Sequence, residues 1–340
     1  MDRVQVGVIG AGRMGARHAQ NLAGRVPGAR LVALSDIDRE RVARLAEELG
    51  GVRVWHDYRE LIADPAVEAV VIAGPSDRRE EMLAEAFRSH KPIFCEKPLA
   101  LDMATVGRIR ALAKQSRSLL QIGFMRRFDP GYAAAWRSLR EGAIGRPIAI
   151  SAKSYDPALA DYSYVAASGG LFVDLAIHDF DLVRFLMDDE VEQVFAVGGV
   201  YKYERLAEFD DIDNGLVTLR FAGGGFGTVQ GSRNAVYGYD IRTEVLGTEG
   251  AVRIGYDRQT PVLWLRSGGA QHDFVPFFLE RFRDAYELEM RAFIDAIRAG
   301  KPPSVGIDDG ERALAIALAA RASLASGRSE EVSSWCSASA

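Results

Sequence analysis

The feature that most constrains the fold is an apolar run near the start of the chain that ends in three spaced glycines and continues as a helix. Residues 6–20 read VGVIGAGRMGARHAQ. The run before Gly10 is typical of a buried strand, and residues 13–20 are typical of the start of a helix. In the turn between them, Gly10 permits a tight bend, Gly12 lets the backbone approach a ligand, and Gly15 lets the helix pack closely on the strand. Because N–H groups at the start of a helix bind phosphate, this stretch predicts a pyrophosphate site.

A carboxylate at the end of the next apolar strand strengthens this prediction. The segment ARLVALSD ends at Asp36, where a carboxylate can accept hydrogen bonds from the ribose hydroxyls of adenosine and would repel a 2′-phosphate. The pair of features therefore predicts NAD as the cofactor in preference to NADP. Two alternatives stay open at this point: Asp36 caps the helix that starts near Asp38, or the fold binds S-adenosylmethionine.

The order of predicted elements indicates two domains. Strands and helices alternate over residues 1–122, which predicts a Rossmann domain with a doubly wound parallel sheet. After Gly123 longer alternating strands dominate, with hairpin signals at residues 223–225 and 247–250. We therefore expect an α/β protein whose C-terminal α+β domain contains a large, mostly antiparallel open sheet. The expected domains are residues 1–122, residues 123–304, a helical segment 305–330 that packs back on the first domain, and a polar tail 331–340.

Composition and charge exclude several classes of protein. The 42 basic and 47 acidic residues give a formal charge of −5, and no basic run is interleaved with aromatic residues, which argues against nucleic acid as a partner. No apolar stretch has membrane-spanning length, and the first strand begins without a signal peptide, so we expect a cytoplasmic location. The two cysteines, Cys95 and Cys336, predict neither disulfides nor a zinc site. We expect Cys95 to be a small core residue, with catalysis as a minor alternative.

Several longer motifs resemble the Gfo/Idh/MocA oxidoreductases, and among them most closely the inositol dehydrogenases. The motifs are Glu96-Lys97-Pro98 and the segments GFMRRFDPGY, GGLFVDLAIHDFDLVRFL, YGYDIRTEVLGTEG, RFRDAYELEMRAFIDAI and DDGERALAIALAA, which cover nearly the whole chain. The resemblance implies NAD-dependent oxidation of a secondary hydroxyl of a cyclic polyol, of the type that converts myo-inositol into its 2-keto form. Alternatives are a scyllo-inositol or pyranose dehydrogenase, an NAD-dependent glycosidase, and a non-catalytic NAD sensor. The open face of the large sheet in the second domain predicts a subunit interface, because large apolar sheet faces seldom remain exposed, and we therefore expect a homo-oligomer, a tetramer or dimer.

Three residues are the candidates for catalysis. Lys97 follows a strand at the carboxyl edge of the sheet, where ligands bind, and can hydrogen-bond a substrate hydroxyl; the alternative is a surface lysine. Asp174 and His178 are four residues apart, which predicts that they share one helix face while Leu175 and Leu182 line another. An imidazole can take the proton of an alcohol while a carboxylate orients it. A structural histidine, or a metal site with Asp179 and Asp181, are the alternatives, and we expect no metal.

The resemblance supplies the remaining site residues. It implies contacts to the cofactor from a set of residues in the first domain: Gly10, Gly12, Arg13, Met14, Gly15, Asp36, Ser76, Glu96 and Lys97. It implies contacts to the substrate from Lys97, Arg127, Tyr155, Asp156, Asp174, His178 and Tyr237. Arg127 could instead cap a helix or pair with Asp129, and Tyr237 could be strand core. The family also implies a cis peptide bond before Pro98.

The chain departs from the family pattern at two places. It has Ser154-Tyr155-Asp156-Pro157 where these dehydrogenases usually have arginine at the second position. It also has Gly74-Pro75-Ser76-Asp77 and then Arg79, where the family tends to have Thr-Pro-Asn and then histidine. The first change concerns the identity of the substrate, and the second concerns the cofactor loop.

Overall fold

The computed structural model describes residues 3–255 and 258–336, which form two compact units. The first unit contains the described residues up to Phe128 together with Asp284–Leu314. The second contains Asp129–Arg283 and Ala315–Cys336. Residues 337–340 of the predicted polar tail lie outside the described residues.

The first unit contains a six-stranded sheet in which every pairing is parallel. Its strands are β1 (Val4–Ile9), β2 (Ala29–Ser35), β3 (Arg53–Trp55), β4 (Ala69–Ile72), β5 (Ile93–Glu96) and β6 (Leu120–Gly123). The connecting helices are α1 (Arg13–Gly24), α2 (Arg39–Glu48), α3 (Tyr58–Ala63), α4 (Arg79–Arg88) and α5 (Met103–Ser116). The strand order β3-β2-β1-β4-β5-β6 confirms the predicted doubly wound sheet, and its switch point lies between β1 and β4. The chain emerges from β1 directly into the glycine turn.

The second unit is built on a seven-stranded mixed sheet. Its helices are α6 (Pro130–Arg140), α7 (Tyr162–Ser168), α8 (Gly170–Asp174), α9 (Ile177–Met187) and α10 (Phe278–Arg281). Its strands are β7 (Pro147–Tyr155), β8 (Val191–Gly199), β9 (Asn214–Phe221), β10 (Phe226–Ser232), β11 (Asp240–Gly247), β12 (Ala251–Gly255), the separate pair β13 (Trp264–Arg266) and β14 (Gly269–Gln271), and β15 (Glu330–Glu331). The strands of the mixed sheet pair in the order β12-β11-β7-β10-β9-β8-β15, and among the described residues only β7 and β10 pair in parallel. Both predicted hairpins are present, β9 with β10 and β11 with β12.

Two long helices follow the second sheet in the chain. The first, α11 (Arg283–Ala299), places Met290, Phe293 and Ile294 in the core of the first unit beside Phe94 of β5. The second, α12 (Ile307–Ser326), belongs to the first unit up to Leu314 and to the second unit beyond it. This grouping differs from the predicted boundaries at residues 122 and 304, which stay a prediction. In the described part of the chain no helix is long and apolar enough to span a membrane.

The single helix predicted to carry both Asp174 and His178 is divided, which corrects one expectation. The N–H groups of Leu175 and Ala176 both donate to the carbonyl of Leu171, so the regular ladder is interrupted. The carbonyl of Ala176 then starts α9 by accepting from Asp179 and Phe180. The prediction that Asp174 and His178 share one face of a single helix was therefore wrong: Asp174 ends α8 and His178 lies in the first turn of α9.

Candidate functional site

The three glycines of the turn have the distinct environments that the sequence predicted. Gly10 has φ +95°, and a Cβ there would lie 2.8 Å from the carbonyl oxygen of Ala73. A Cβ on Gly15 would lie 1.7 Å from the carbonyl oxygen of Gly10, so only glycine fits. A Cβ on Gly12, by contrast, would meet no described atom within 4 Å. No described atom therefore excludes a side chain at position 12. The open space at Gly12 fits a ligand that approaches the backbone.

The start of α1 fits an anion for a second reason. Gly12 is its N-cap residue, and among the described residues no side chain caps the helix, so the positive end of the helix dipole has no side-chain cap. Asp36 stands beside the same turn, where its Oδ2 accepts from the N–H of Ala11 at 2.6 Å. The N-cap residue of α2 is Asp38, whose side chain accepts from Arg41, and Oδ1 of Asp36 accepts from the N–H of Asp38 at 2.8 Å. Asp36 thus joins the glycine turn to the residue that caps α2, and it is not itself the N-cap.

The end of β5 places Glu96 and Lys97 at the carboxyl edge of the parallel sheet. Glu96 is buried, and its Oε1 lies 2.7 Å from Nε2 of His18 on α1. Its Oε2 accepts from the backbone N–H of Lys97 at 3.2 Å. Lys97 is half-buried, and the peptide bond to Pro98 is cis, as expected.

Arg79 joins the loops that follow β4 and β5. Its buried guanidinium donates to the carbonyl of Pro98 and, at 2.9 Å, to the carbonyl of Gly74. Between these loops and α4, Ser76 begins a short 3-10 turn, Ser76–Arg78. The departure from the family pattern at position 79 thus places a cation that holds both loops at the edge of the sheet.

Cys95 is fully buried in β5. Burial raises the pKa of its thiol to about 12, so the thiolate that nucleophilic catalysis requires is not formed near neutral pH. The expectation that Cys95 is a core residue agrees with this environment.

In the second unit, Asp174 is held by side chains from outside α8. Its Oδ1 accepts a 2.8 Å hydrogen bond from the hydroxyl of Tyr164, and its Oδ2 lies 3.9 Å from Nη2 of Arg233. Arg233 is itself buried and pairs with Asp211 at 2.6 Å. Asp211 also accepts from the N–H of Leu171, in the first turn of α8. This network fixes both the helix and the carboxylate at its end.

His178 is 8% exposed, and its helix is anchored on β7 by the next residue. Asp179 is fully buried and accepts a 2.5 Å hydrogen bond from the hydroxyl of Ser154. Ser154 directly precedes Tyr155, whose hydroxyl donates to Oε1 of Gln230 at 2.5 Å. The structure thus brings the helix of His178 to the strand that ends at one predicted substrate residue, Tyr155, just before another, Asp156.

Tyr155 and Tyr237 are brought together around Asp240. Tyr155 is the cross-strand partner of Asp240, and the hydroxyl of Tyr237 donates to Oδ2 of Asp240 at 2.8 Å. Burial, followed by the charge of Asp240, raises the pKa of Tyr155. Burial, the hydrogen bond to Asp240 and its charge raise the pKa of Tyr237 to about 12. Both phenols therefore stay protonated at neutral pH and can donate hydrogen bonds.

One alternative for the substrate residues is corrected by the structure. Tyr237 lies in the turn between β10 and β11 with 48% of its surface exposed, so it is not strand core. Arg127 forms an ion pair with Asp309 at 2.7 Å, and Asp129 caps α6 and pairs with Arg281; the alternative pair of Arg127 with Asp129 stays a prediction.

Sequence reasoning did not predict the contacts by which four residues hold the site residues in place: Arg79 and Asp179, which it named for other reasons, and Tyr164 and Arg233, which it did not name. Their partners lie 10 or more residues away along the chain, except for the Gly74 carbonyl bonded by Arg79. The signal available was a charged residue within an apolar segment, as at Asp179 in α9, because a buried charge needs a partner.

Comparisons with known proteins match both parts of the chain. Residues 4–124 match the model "Oxidoreductase family, NAD-binding Rossmann fold", and residues 137–332 match "Oxidoreductase family, C-terminal alpha/beta domain". The chain is 39% identical over 327 residues to the myo-inositol 2-dehydrogenase of Thermotoga maritima, covering 96% of this chain and 98% of that protein. It is 37% identical over 325 residues to the scyllo-inositol 2-dehydrogenase (NAD(+)) of Bacillus subtilis, covering 96% and 95%.

A solved structure gives the same relationship in three dimensions. The structure of scyllo-inositol dehydrogenase from Lactobacillus casei with bound NAD(H) and scyllo-inositol superposes with a TM-score of 0.92. It is 29% identical to this chain and covers 98% of this chain and 100% of its own.

Proposed function

Because the chain belongs to the Gfo/Idh/MocA oxidoreductase family, we propose that it is an NAD-dependent dehydrogenase that oxidises one secondary hydroxyl of an inositol to a ketone. The observation that carries the cofactor is the glycine turn. Gly15 has no room for a side chain, whereas Gly12 is open toward the start of α1 and Asp36 stands beside it. The relatives that act on myo- and scyllo-inositol support the substrate class.

The proposed chemistry divides between the cofactor and the side chains. NAD, held by the glycine turn and Asp36, would supply the acceptor for the hydride that leaves the C–H bond of the alcohol. His178 accepts the proton of the hydroxyl through its imidazole, and Asp174, held by Tyr164 and Arg233, orients that imidazole and stabilises its charged form. Lys97 donates a hydrogen bond to the oxygen on which the ketone forms and orients the alcohol.

The other polar side chains are assigned to recognition of the ring. The phenols of Tyr155 and Tyr237, which donate their protons to Gln230 and Asp240, accept hydrogen bonds from substrate hydroxyls while their aromatic faces cover C–H surface. Asp156 and Arg127 supply an acceptor and a charged donor. In the first unit we assign Arg13, Met14, Ser76 and Glu96 to the cofactor, together with the three glycines. We further propose a cytoplasmic homo-oligomer, a tetramer or dimer.

The test is NADH formation measured over a panel of inositols, pyranoses and glycosides. Net NADH from myo-inositol or scyllo-inositol supports the proposal, with the better substrate naming the isomer. Glycoside cleavage without net NADH would indicate the glycosidase alternative, and NAD binding with no turnover of any compound would indicate a sensor. Either of these results would overturn the proposal.

A further inference from the structure

A carboxyl group lies in the core of the first unit without an evident counter-charge. Glu289, on α11, has no exposed surface, and among the described residues neither of its carboxyl oxygens has a hydrogen-bond partner. A buried carboxylate without donors is costly, since the interior does not replace the hydration it loses. The charge state of Glu289 is therefore a structural question.

The groups near Glu289 make a negative charge on its carboxyl group still more costly. In the described part of the chain, His18, Glu96 and Glu289 each place one nitrogen or oxygen within 4.8 Å of the other two. His18 already pairs with Glu96 at 2.7 Å, so the one imidazole is engaged by the other carboxylate. The rings of Phe94 and Tyr286 pack edge-on against His18 and help to exclude water. A second carboxylate here would face the charge of Glu96 at low dielectric.

A proton on Glu289 resolves both difficulties. It removes the second negative charge, and it gives the carboxyl group a proton to donate. Gln121 of β6 donates through Nε2 to the backbone carbonyl of Glu289 at 3.0 Å, while its own Oε1 has no donor among the described residues. Burial, and then the charge of Glu96, raise the pKa of Glu289 well above its ordinary value.

We propose that Glu289 is held as a neutral carboxylic acid and acts as a positioning residue for the end of β5. By staying uncharged, it leaves Glu96 as the only carboxylate on His18. Glu96 is then free to hold the backbone N–H of Lys97 through Oε2. The part of this inference that concerns Lys97 rests on the proposed function, whereas the neutral state of Glu289 does not.

A proton explains the cluster better than a metal ion. One histidine and two carboxylates could bind a divalent cation. The ion would have to break the hydrogen bond that His18 already forms with Glu96. The titratable side chains that cluster with Glu289 in the described part of the chain are His18 from α1 and Glu96 from β5, and Gln121 from β6, which is uncharged, bonds its backbone carbonyl. The ion pair of His18 is with Glu96, at 2.7 Å.

The pH dependence follows from the direction of the shift. A carboxyl group whose pKa is raised by folding contributes its full stability at low pH, and that contribution is lost as the pH rises through the raised pKa. The alkaline limit of stability should therefore depend on Glu289. Glu289→Gln keeps the shape and a donor without an ionisable group, and Glu289→Met keeps the apolar volume without a donor.

The direct test is infrared spectroscopy of the purified protein at neutral pH without substrate, because a protonated carboxylic acid has a C=O band separate from that of a carboxylate. We expect a band in the wild type that Glu289→Gln removes. Glu311→Gln is the matched control: Glu311 is also buried but pairs with Arg110, and its loss should leave the band unchanged. Glu289→Gln should also shift the alkaline limb of thermal stability to higher pH.

Activity measurements distinguish a positioning role of Glu289 from a contribution to packing alone. At neutral pH, Glu289→Gln should keep kcat/KM near the wild-type value, while Glu289→Met should lower it about tenfold through displacement of Lys97. Absence of the infrared band, or a stoichiometric metal ion bound in its place, would overturn the inference. Because the band is read without substrate, it distinguishes this failure from a failure of the proposed dehydrogenase activity.

Discussion

The hydroxyl of Ser154 donates a 2.5 Å hydrogen bond to Oδ2 of Asp179, and this bond joins the strand that ends at Tyr155 to the helix that carries His178. Both groups are fully buried, so the bond is shielded from water. The proposed proton acceptor and the strand proposed to bind substrate are thereby held in one geometry. The effect of Asp179 on catalysis should be indirect, through the placement of His178.

We expect Asp179→Asn to lower kcat about tenfold, because a hydrogen bond to a charged acceptor is replaced by a weaker one and the helix shifts. Affinity for NAD should stay unchanged, since NAD binding is assigned to the first unit. Asp188→Asn is the control at the other end of α9, where the side chain is exposed and the left-handed backbone tolerates asparagine. Steady-state kinetics and NAD titration measure both, and an unchanged kcat in Asp179→Asn would contradict the role.

Replacement of His178 tests the proton acceptor. His178→Ala should lower kcat by about 10²- to 10⁴-fold and leave NAD binding intact. In the wild type, the rate of oxidation should rise between about pH 6 and 8, where an ordinary imidazole loses its proton, and this rise should disappear in the variant. His272→Ala, in the same unit but outside the proposed site, should keep both rate and profile. Normal turnover by His178→Ala would exclude the mechanism.

The glycine turn allows folding and cofactor binding to be separated. Gly12→Ala should unfold at the wild-type temperature, since its φ of −69° suits alanine and its Cβ enters open space, but it should bind NAD about tenfold or more weakly. Gly15→Ala should be destabilised by about 1–3 kcal/mol, because its Cβ overlaps the carbonyl of Gly10. Calorimetry and fluorescence titration of NADH give the two readouts. Tight NAD binding by Gly12→Ala would refute the assigned pyrophosphate site.

Cofactor choice is expected to depend on Asp36. The wild type should prefer NAD clearly, and the double variant Asp36→Ser with Ile37→Arg should shift the ratio of kcat/KM values toward NADP. Ile37 is 78% exposed, so arginine there disturbs no core contact. Ile37→Arg alone keeps the repelling carboxylate and serves as the control. Equal efficiency of the wild-type enzyme with both cofactors would show that Asp36 does not discriminate.

Tyr155 is expected to set the preference among substrates. Tyr155→Arg should change the ranking of inositol isomers and pyranoses while NAD affinity stays nearly constant, because the change alters only the directions of hydrogen bonds to the ring. Tyr155→Phe removes only the hydroxyl bonded to Gln230. Comparison of the two variants separates the effect of losing that hydrogen bond from the effect of the charge of arginine. Relative kcat/KM values over the panel provide the measurement; an unchanged ranking in both variants would place Tyr155 outside the substrate site.

The sequence by itself determined the parallel sheet, the glycine turn and both hairpins. These features depend on short-range physics: the period of apolar residues along a strand or helix, and the backbone angles that glycine permits. The fit of Gly10, Gly12 and Gly15 could therefore be predicted position by position. Lys97, His178 and the cis bond before Pro98 came from a family resemblance, and the structure describes their surroundings without testing their roles.

The tertiary structure alone decided which groups share a dry environment. Ser154 and Asp179 are separated by 25 residues in the chain, His18 and Glu96 by 78, and Gln121 and Glu289 by 168. The break before α9 likewise arises because the N–H groups of Leu175 and Ala176 share the carbonyl of Leu171, which the spacing of apolar residues does not reveal. Charge state is a property of such surroundings, because burial and neighbouring charges set the free energy of ionisation. The sequence shows that residue 289 is a glutamate, but the proton that we propose on its carboxyl group follows only from its surroundings in the fold.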